Sequence, residues 1–258
     1  MHRTTFVAVC LAAAATTVGL TACGTESGNA GDKAGDKTEK AEPKGPFAGM
    51  SGAEIAEKAV ETTSDAKSLR IAGKVTDEET GLGSLDMALD TGGKCAGTIG
   101  TTDEGSIELI IPGDTVYMKY DEKFLRAQGK GEPAADTQAA VDMLADRWVK
   151  TKATSSDAKD IAGFCDLDVL LADFRDVNSA ARRGGTTTVD GTPAIKLTEN
   201  DGKEKYTLYV ATEGKPYLLK VDQTTGGKPE SLTFSDYDKP VKTTPPTGDV
   251  LDLDELAG

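Results

Sequence analysis

Histidine and aromatic residues are scarce in this sequence. Among 258 residues there is one His, at position 2, and one Trp, and Phe, Tyr and Trp together make up 5%. Ser-His-Asp and Cys-His catalytic sites need an imidazole base, and the usual zinc sites need several His and Cys ligands. A glycosidase built on paired carboxylates would need more aromatic rings to hold its sugar. The glycine-rich phosphate loops of nucleotide-binding proteins are missing too. We therefore expect no catalysis, no metal site and no cofactor.

Basic residues are also few. The chain has 29 Lys and Arg against 43 Asp and Glu, a formal net charge of −14. Its only adjacent basic pair is Arg182-Arg183, and no basic stripe alternates with aromatic residues. Such a negative field repels phosphate backbones and favours solubility. We therefore expect no nucleic-acid partner.

The beginning of the chain has the pattern of a secretion signal. Arg3 supplies a positive start, and residues 6–20 form an apolar run that is too short to span a bilayer comfortably. Residues 20–23, Leu-Thr-Ala-Cys, resemble the bacterial lipobox, which implies attachment of diacylglycerol to the Cys23 thiol and cleavage just before it. The alternative is a chance cysteine at an ordinary cleavage site. We predict a lipoprotein signal peptide over residues 1–22 and lipidation at Cys23.

Residues 23–46 contain no large apolar side chain after the cysteine, and they repeat the sequence Ala-Gly-Asp-Lys. Such a segment cannot bury enough surface to fold, so it is predicted to be a flexible polar linker. The folded domain then occupies residues 47–258.

Cleavage of the signal peptide would remove Cys10, and Cys23 would carry the lipid anchor. Cys95 and Cys165 would then remain in an oxidising compartment, where a disulfide is the ordinary expectation. A free catalytic pair is the alternative, although the sequence has no Cys-x-x-Cys spacing.

The folded part is predicted to begin with a helix. Ser51 and Glu54 match a capping box, and Ile55, Ala59 and Val60 follow on one helical face. Apolar and polar residues then alternate with a period of two, which is typical of antiparallel strands with one apolar face. These stretches, bounded by glycine-rich turns, are residues 69–75, 85–89, 107–111 and 116–120, and later 194–198, 206–211, 217–221 and 232–237.

Helical spacing interrupts the strands in the middle of the chain. Val141, Leu144 and Trp148 recur at helical spacing within residues 136–148. Asp166 is placed to cap a second short helix, whose apolar positions are Leu167, Leu170, Leu171 and Phe174. The acidic residues 241–258, with their two adjacent prolines, are predicted to form an extended tail along the sheet.

This order of elements predicts an α+β fold. Eight or more strands curl strongly, because twist accumulates across a sheet. We predict a strongly curved antiparallel sheet, a half-barrel, with helices packed on its concave face.

Several stretches are similar to the LppX/LprG-type lipoproteins of actinobacteria, over roughly residues 50–250. They are SLRIAGKV, DRWVK, TLYVATEGKPYLLKV and LTFSDYDKPVKTTPP. Members of that family resemble the LolA and LolB lipoprotein carriers, in which a half-barrel and its helices enclose a hydrophobic cavity. The resemblance implies a monomer, held by its lipid anchor at the outer face of the bacterial cytoplasmic membrane, that binds or carries a lipid-like amphiphile.

The inward residues of the strands and of the middle helix are the candidate lining of such a cavity. They are Leu85, Met87, Leu89, Ile107, Leu109, Val116, Met118, Leu144 and Trp148. The same residues would form an ordinary packed core in any half-barrel, because cavity volume is a small difference between large packed volumes. The alternative function is therefore an envelope interaction or sensory module with a filled core.

Overall fold

The computed structural model describes residues 46–75, 81–102, 104–163, 165–171, 180–202, 204–225 and 227–256. Its main feature is one open, curved sheet of twelve strands. The strands are β1 (Ser68–Lys74), β2 (Leu82–Asp90), β3 (Cys95–Thr101), β4 (Gly105–Ile111), β5 (Thr115–Tyr120), β6 (Trp148–Lys152), β7 (Arg182–Val189), β8 (Thr192–Asp201), β9 (Glu204–Ala211), β10 (Leu218–Thr225), β11 (Lys228–Ser235) and β12 (Val250–Asp252). Their order across the sheet is β12-β6-β5-β4-β3-β2-β1-β11-β10-β9-β8-β7.

The sheet consists of two antiparallel meanders joined in the middle. Strands β1 to β6 form one meander and β7 to β11 the other, and β1 pairs with β11 so that Ile71 lies opposite Phe234. Gly73 belongs to this junction. A Cβ at Gly73 would lie 1.9 Å from the carbonyl oxygen of Ser231, so the close approach of the two strands requires a residue without a side chain.

The described helices are α1 (Gly52–Ser64), α2 (Glu122–Gln128), α3 (Ala134–Leu144), α4 (Ser156–Gly163), α5 (Leu167–Leu170) and α6 (Leu253–Leu256). The predicted capping box of α1 is present: the Ser51 N–H donates to the Glu54 carboxylate at 2.7 Å, and the Glu54 N–H donates to Ser51 Oγ at 3.2 Å. Asp166 caps α5 by accepting from the N–H groups of Asp168 and Val169. None of the described helices is long and apolar enough to cross a bilayer.

The core lies between one face of the sheet and the helices. Alternate residues of β2 are buried, and the residues between them are half-buried on the outer face. Ile55 and Ala59 of α1 and Leu167 of α5 belong to the same apolar cluster as the inward residues of both meanders. The predicted α+β half-barrel, with helices on the concave face, is confirmed.

Two local predictions are corrected. Helix α3 ends at Leu144, and Asp146 takes a left-handed φ of 56°, so Trp148 begins strand β6 instead of extending the helix. The tail does lie along the sheet, but β12 runs parallel to β6, with Val250 opposite Trp148, and is followed by the short helix α6. The carboxylate of Asp254 fixes this end by accepting from Thr151 Oγ1 at 2.9 Å.

The predicted signal peptide over residues 1–22, Cys23 and nearly all of the predicted linker lie outside the described residues, as does Phe174.

Candidate ligand-binding interior

The inward face of the first meander is a continuous apolar surface. Six of the predicted lining residues are at most 6% exposed: Leu85, Met87, Leu89, Leu109, Val116 and Met118. Ile107 and Leu144 are partly buried and pack against the same cluster. The structure therefore brings eight of the nine predicted residues together.

The strand register aligns part of this surface in one row. Starting from β11, the opposed inward residues are Phe234, Ile71, Met87, Gly97, Leu109, Met118 and Val149. Six of these seven side chains are apolar and buried. Gly97 is the exception, because a Cβ there would lie 2.0 Å from the carbonyl oxygen of Asp86 and 2.8 Å from Met87 Sδ. The flexible thioether of Met87 thus occupies space that Gly97 leaves free.

Trp148 is not part of this surface. In β6 it lies opposite Lys119 of β5, whereas Val149 lies opposite Met118. Opposed residues share a face of the sheet, so Trp148 faces outward. Lys119 Nζ lies 5.0 Å from the centre of the Trp148 ring and forms an ion pair with Glu108 at 2.5 Å. The prediction that Trp148 lines the interior is therefore corrected: the residue is a strand residue on the convex face.

A cover of helices lies over the concave face. Helix α1 packs on β7, β9 and β10 of the second meander, where its small residues Ala56 and Ala59 allow close approach. The segment that carries α4 and α5 is tied to the first meander by the disulfide between Cys165 and Cys95, whose Cα atoms are 5.5 Å apart. This confirms the expected pairing. Both cysteines are buried, and Leu89 and Ile111 lie opposite Cys95 on the adjacent strands.

The second meander contributes residues that the sequence analysis did not assign to the lining. They are Ile195, Leu197, Leu208, Val210, Leu218 and Val221. Alternation along β8 and β9 marks the first four as inward, whereas in β10 a register irregularity separates Leu218 from Val221. Only the pairing of β1 with β11 shows that all six extend the same interior. The sequence pattern marks the strands of the second meander, but it does not show that they lie beside the first.

The interior suits an uncharged apolar ligand. Of the residues whose burial is described, the buried polar ones are Thr63, Ser68 and Thr151. Thr63 Oγ1 accepts the Leu218 N–H at 3.0 Å, and Ser68 Oγ donates to the Lys239 carbonyl at 2.6 Å. None of these buried residues is charged. Near the end of β8, one carboxylate oxygen of Glu199 is buried without a hydrogen-bond partner, and Glu199 lies opposite Tyr206 on the same side of the strand as Leu197. The described residues also contain no group of three or more His, Cys, Asp or Glu placed to hold a metal ion.

Two stacked tyrosines, Tyr217 and Tyr237, lie beside the start of β10. The Tyr237 hydroxyl donates to the Leu218 carbonyl, and its ring stacks on Tyr217 with centres 3.9 Å apart. Burial raises the pKa of Tyr237 well above its ordinary value, so this hydroxyl stays protonated. It therefore remains a donor at physiological pH.

Fold and interior together define a class: an α+β half-barrel of the kind found in the LppX/LprG-type lipoproteins. LprF from Mycobacterium bovis matches this chain with a TM-score of 0.53 and 16% identity, over 76% of this chain and 97% of LprF. Lipoprotein LppX from Mycobacterium tuberculosis matches with a TM-score of 0.46 and 17% identity, over 74% of this chain and 97% of LppX. The likeness to LprF shows that the fold is shared. The sequence matches no protein-family model and no curated protein.

Proposed function

We propose that this protein is a lipid-anchored extracytoplasmic lipoprotein that binds a lipid-like amphiphile between its sheet and its helices. The observation that carries the proposal is the continuous apolar interior, which joins the concave face of both meanders to the helices and has no charged residue among its described buried residues. The fold shared with LprF supports it, and so does the lipid carriage that the family resemblance implies. The protein does no chemistry on its ligand.

Acyl chains would be held by burial of apolar area. Each Å² removed from water contributes about 25 cal/mol. Met87 and Met118 lie in the central row of the interior and adapt to chains of different shape, because an unbranched thioether has many rotamers of similar energy. The headgroup would remain at the rim, since none of the described buried residues is charged.

The cover has two separately attached parts, and this gives a route for entry. Helix α1 is held on the second meander, and α4 and α5 are held on the first by the Cys95–Cys165 bond. Movement of one part relative to the other would open the interior without unfolding the sheet.

The domain would work as a monomer at the outer face of the cytoplasmic membrane. Cys23 would carry the lipid anchor, and residues 23–46 would hold the domain clear of the headgroups. The formal net charge of −14 is consistent with a domain that stays solvated beside an anionic surface.

Solvent extraction of protein purified from a native-like host tests the proposal. We expect close to one amphiphile per protein by mass spectrometry, and uptake of a pyrene-labelled phospholipid by delipidated protein. Met118→Trp fills ligand space and should lower both readouts severalfold, whereas Met118→Leu keeps the side-chain volume and should leave them unchanged. Absence of co-purified lipid, together with absence of pyrene-lipid uptake by Met118→Leu and the natural protein, would overturn the proposal.

A further inference from the structure

The two edges of the sheet differ in whether their last long strand is covered by another strand. At one end β6 is covered by β12, a strand of three residues, and Asp252 forms an ion pair with Lys150 at 3.0 Å. At the other end β7 has eight residues and pairs with β8 on one side. No described strand pairs with its outer side. Five consecutive residues of β7, Arg182–Thr186, are exposed.

The register identifies the backbone groups that β7 presents to the open side. The carbonyl of Pro193 in β8 accepts the Thr212 N–H at 3.0 Å, so Pro193 directs its backbone groups toward β9. Thr188 lies opposite Pro193 and therefore belongs to a pair without mutual hydrogen bonds. Its own N–H and C=O point away from β8. Thr186, two residues earlier, has the same orientation.

Strand β7 lacks the features that usually block an open edge. Natural edge strands carry lysine, proline or inward charges, or they are very short. The sequence of β7 is Arg-Arg-Gly-Gly-Thr-Thr-Thr-Val, and residues 186–189 contain none of these features. One irregularity, between Arg183 and Thr186, lies at the arginine end. The threonines and Val189 favour extended backbone, so the half of β7 nearest Val189 is a regular template for another strand.

Charge specifies the kind of occupant. Arg182 and Arg183 are the only adjacent basic residues in a strongly acidic chain. Arg183 Nη1 donates to the carbonyl oxygens of Phe47 and Met50, whereas the Arg182 side chain is exposed at the edge. The eight residues of a second β7 would bring two more arginines and no carboxylate, and the nearest acidic residue after them is Asp190 in the turn to β8. An edge of eight residues also buries far less than the roughly 1,000 Å² that a stable protein interface needs. The surface therefore suits an extended peptide, not a dimer.

We propose that the open edge of β7 binds an extended, acidic segment of a partner protein by strand addition. Backbone hydrogen bonds to Thr186 and Thr188 hold the segment, and a carboxylate pairs with Arg182. This surface is separate from the apolar interior, so it operates whether or not an amphiphile is bound.

A synthetic acidic peptide, Asp-Val-Thr-Val-Thr-Glu, tests the proposal with the purified protein. We expect saturable binding by calorimetry and slower amide exchange at Thr186 and Thr188 when the peptide is present. Thr188→Pro removes the outward N–H without breaking a hydrogen bond to β8, and it should weaken binding at least tenfold, while Thr188→Val keeps the N–H and should bind within twofold of the natural protein. Arg182→Ala should weaken binding severalfold and reduce its dependence on salt.

Three results would overturn the proposal. The first is unchanged amide exchange at Thr186 and Thr188 in the natural protein, which does not depend on the folding of any variant. The second is equal binding by Thr188→Pro and Thr188→Val when both have the natural melting temperature. The third is a concentration-dependent dimer that Thr188→Pro abolishes, because the occupant would then be a second copy.

Discussion

A single carboxylate, Asp238, ties the end of β11 to the beginning of β1. The residue has a left-handed φ of 57°. Its Oδ2 accepts from the Tyr217 hydroxyl at 2.6 Å and from Lys215 Nζ at 2.9 Å, and its Oδ1 accepts the Lys67 N–H at 3.0 Å. The Tyr217 hydroxyl, then the Lys67 N–H and Lys215, lower the pKa of Asp238 well below its ordinary value of 3.8. Protonation of this one group would therefore weaken the closure of the central junction.

Asp238→Asn should make the protein less stable at neutral pH. Because the pKa is lower in the folded state, the carboxylate contributes stability above about pH 4 and loses it as the pH falls further. The group is solvent-accessible, so we expect a loss of about 1 kcal/mol at pH 7 that shrinks toward pH 2. Urea unfolding at pH 7 and at pH 2 measures this loss of unfolding free energy, and Glu57→Gln on the exposed face of α1 is the control. A difference that is the same at pH 7 and pH 2 would contradict the proposed role of the charge.

At the scale of single elements, the disulfide links α4 and α5 covalently to the sheet, and Ala158, Leu167 and Leu171 pack in the core beside it. Cys95 lies in β3 and Cys165 directly precedes the cap of α5, and the bond closes a separation of 70 residues. Helix α1 has its own attachment, since Ile55 and Ala59 are fully buried and Arg183 holds the preceding loop. The two parts of the cover should therefore respond differently to loss of the bond.

Replacing both cysteines, Cys95→Ala with Cys165→Ala, should lower the free energy of unfolding by about 4 kcal/mol, from the chain entropy of so long a loop. Amide exchange should speed up in α4 and α5 much more than in α1. The dithiothreitol-reduced natural protein provides the same comparison if the variant folds poorly. Equal acceleration in α1, α4 and α5 would show that the bond stabilises the whole domain and not one part of the cover.

The elements differ in how far the sequence predicts them. Strands β2, β4 and β5 place an apolar side chain at every second position over most of their length, so both their existence and their inward faces follow from the period. Strands β3 and β7 consist largely of small and hydroxyl residues, Cys-Ala-Gly-Thr-Ile-Gly-Thr and Arg-Arg-Gly-Gly-Thr-Thr-Thr-Val, and carry no comparable pattern. They are strands because neighbouring strands provide their hydrogen bonds.

Trp148 shows why a pattern can mislead at an element boundary. Val141, Leu144 and Trp148 have helical spacing, but the left-handed turn at Asp146 separates the last of them from the helix. Aspartate tolerates this conformation better than most residues, yet it is also common inside helices, so the residue alone does not predict the turn. The prediction that Trp148 faces the interior was wrong for this reason. The predictions for the eight other residues depend on strand alternation or on a regular helix.

At the scale of the whole molecule, one pairing makes two meanders into a single interior. Ile71 of β1 and Phe234 of β11 are opposed across that junction although they are far apart in sequence. Local patterns carry no information about such a pairing, because it depends on how both meanders close around the helices. The sequence therefore predicts a half-barrel and the part of its apolar interior that the first meander forms, and the fold shows that the second meander forms the rest.

The proposed lipid anchor would determine where this molecule works, and Cys23 is the residue to test. Two acyl chains on one cysteine hold a protein stably at a membrane, because each buried CH₂ contributes about 0.8 kcal/mol. Without them, a chain with a net charge of −14 has no attraction to an anionic surface. Cys23→Ser should therefore move the protein from the membrane fraction to the soluble fraction or the medium and abolish labelling by an alkyne fatty acid. Cys10→Ser, within the predicted signal peptide, should change neither readout. Membrane fractionation of Cys23→Ser equal to that of Cys10→Ser would refute the lipid anchor and leave the apolar interior to be explained by some other location.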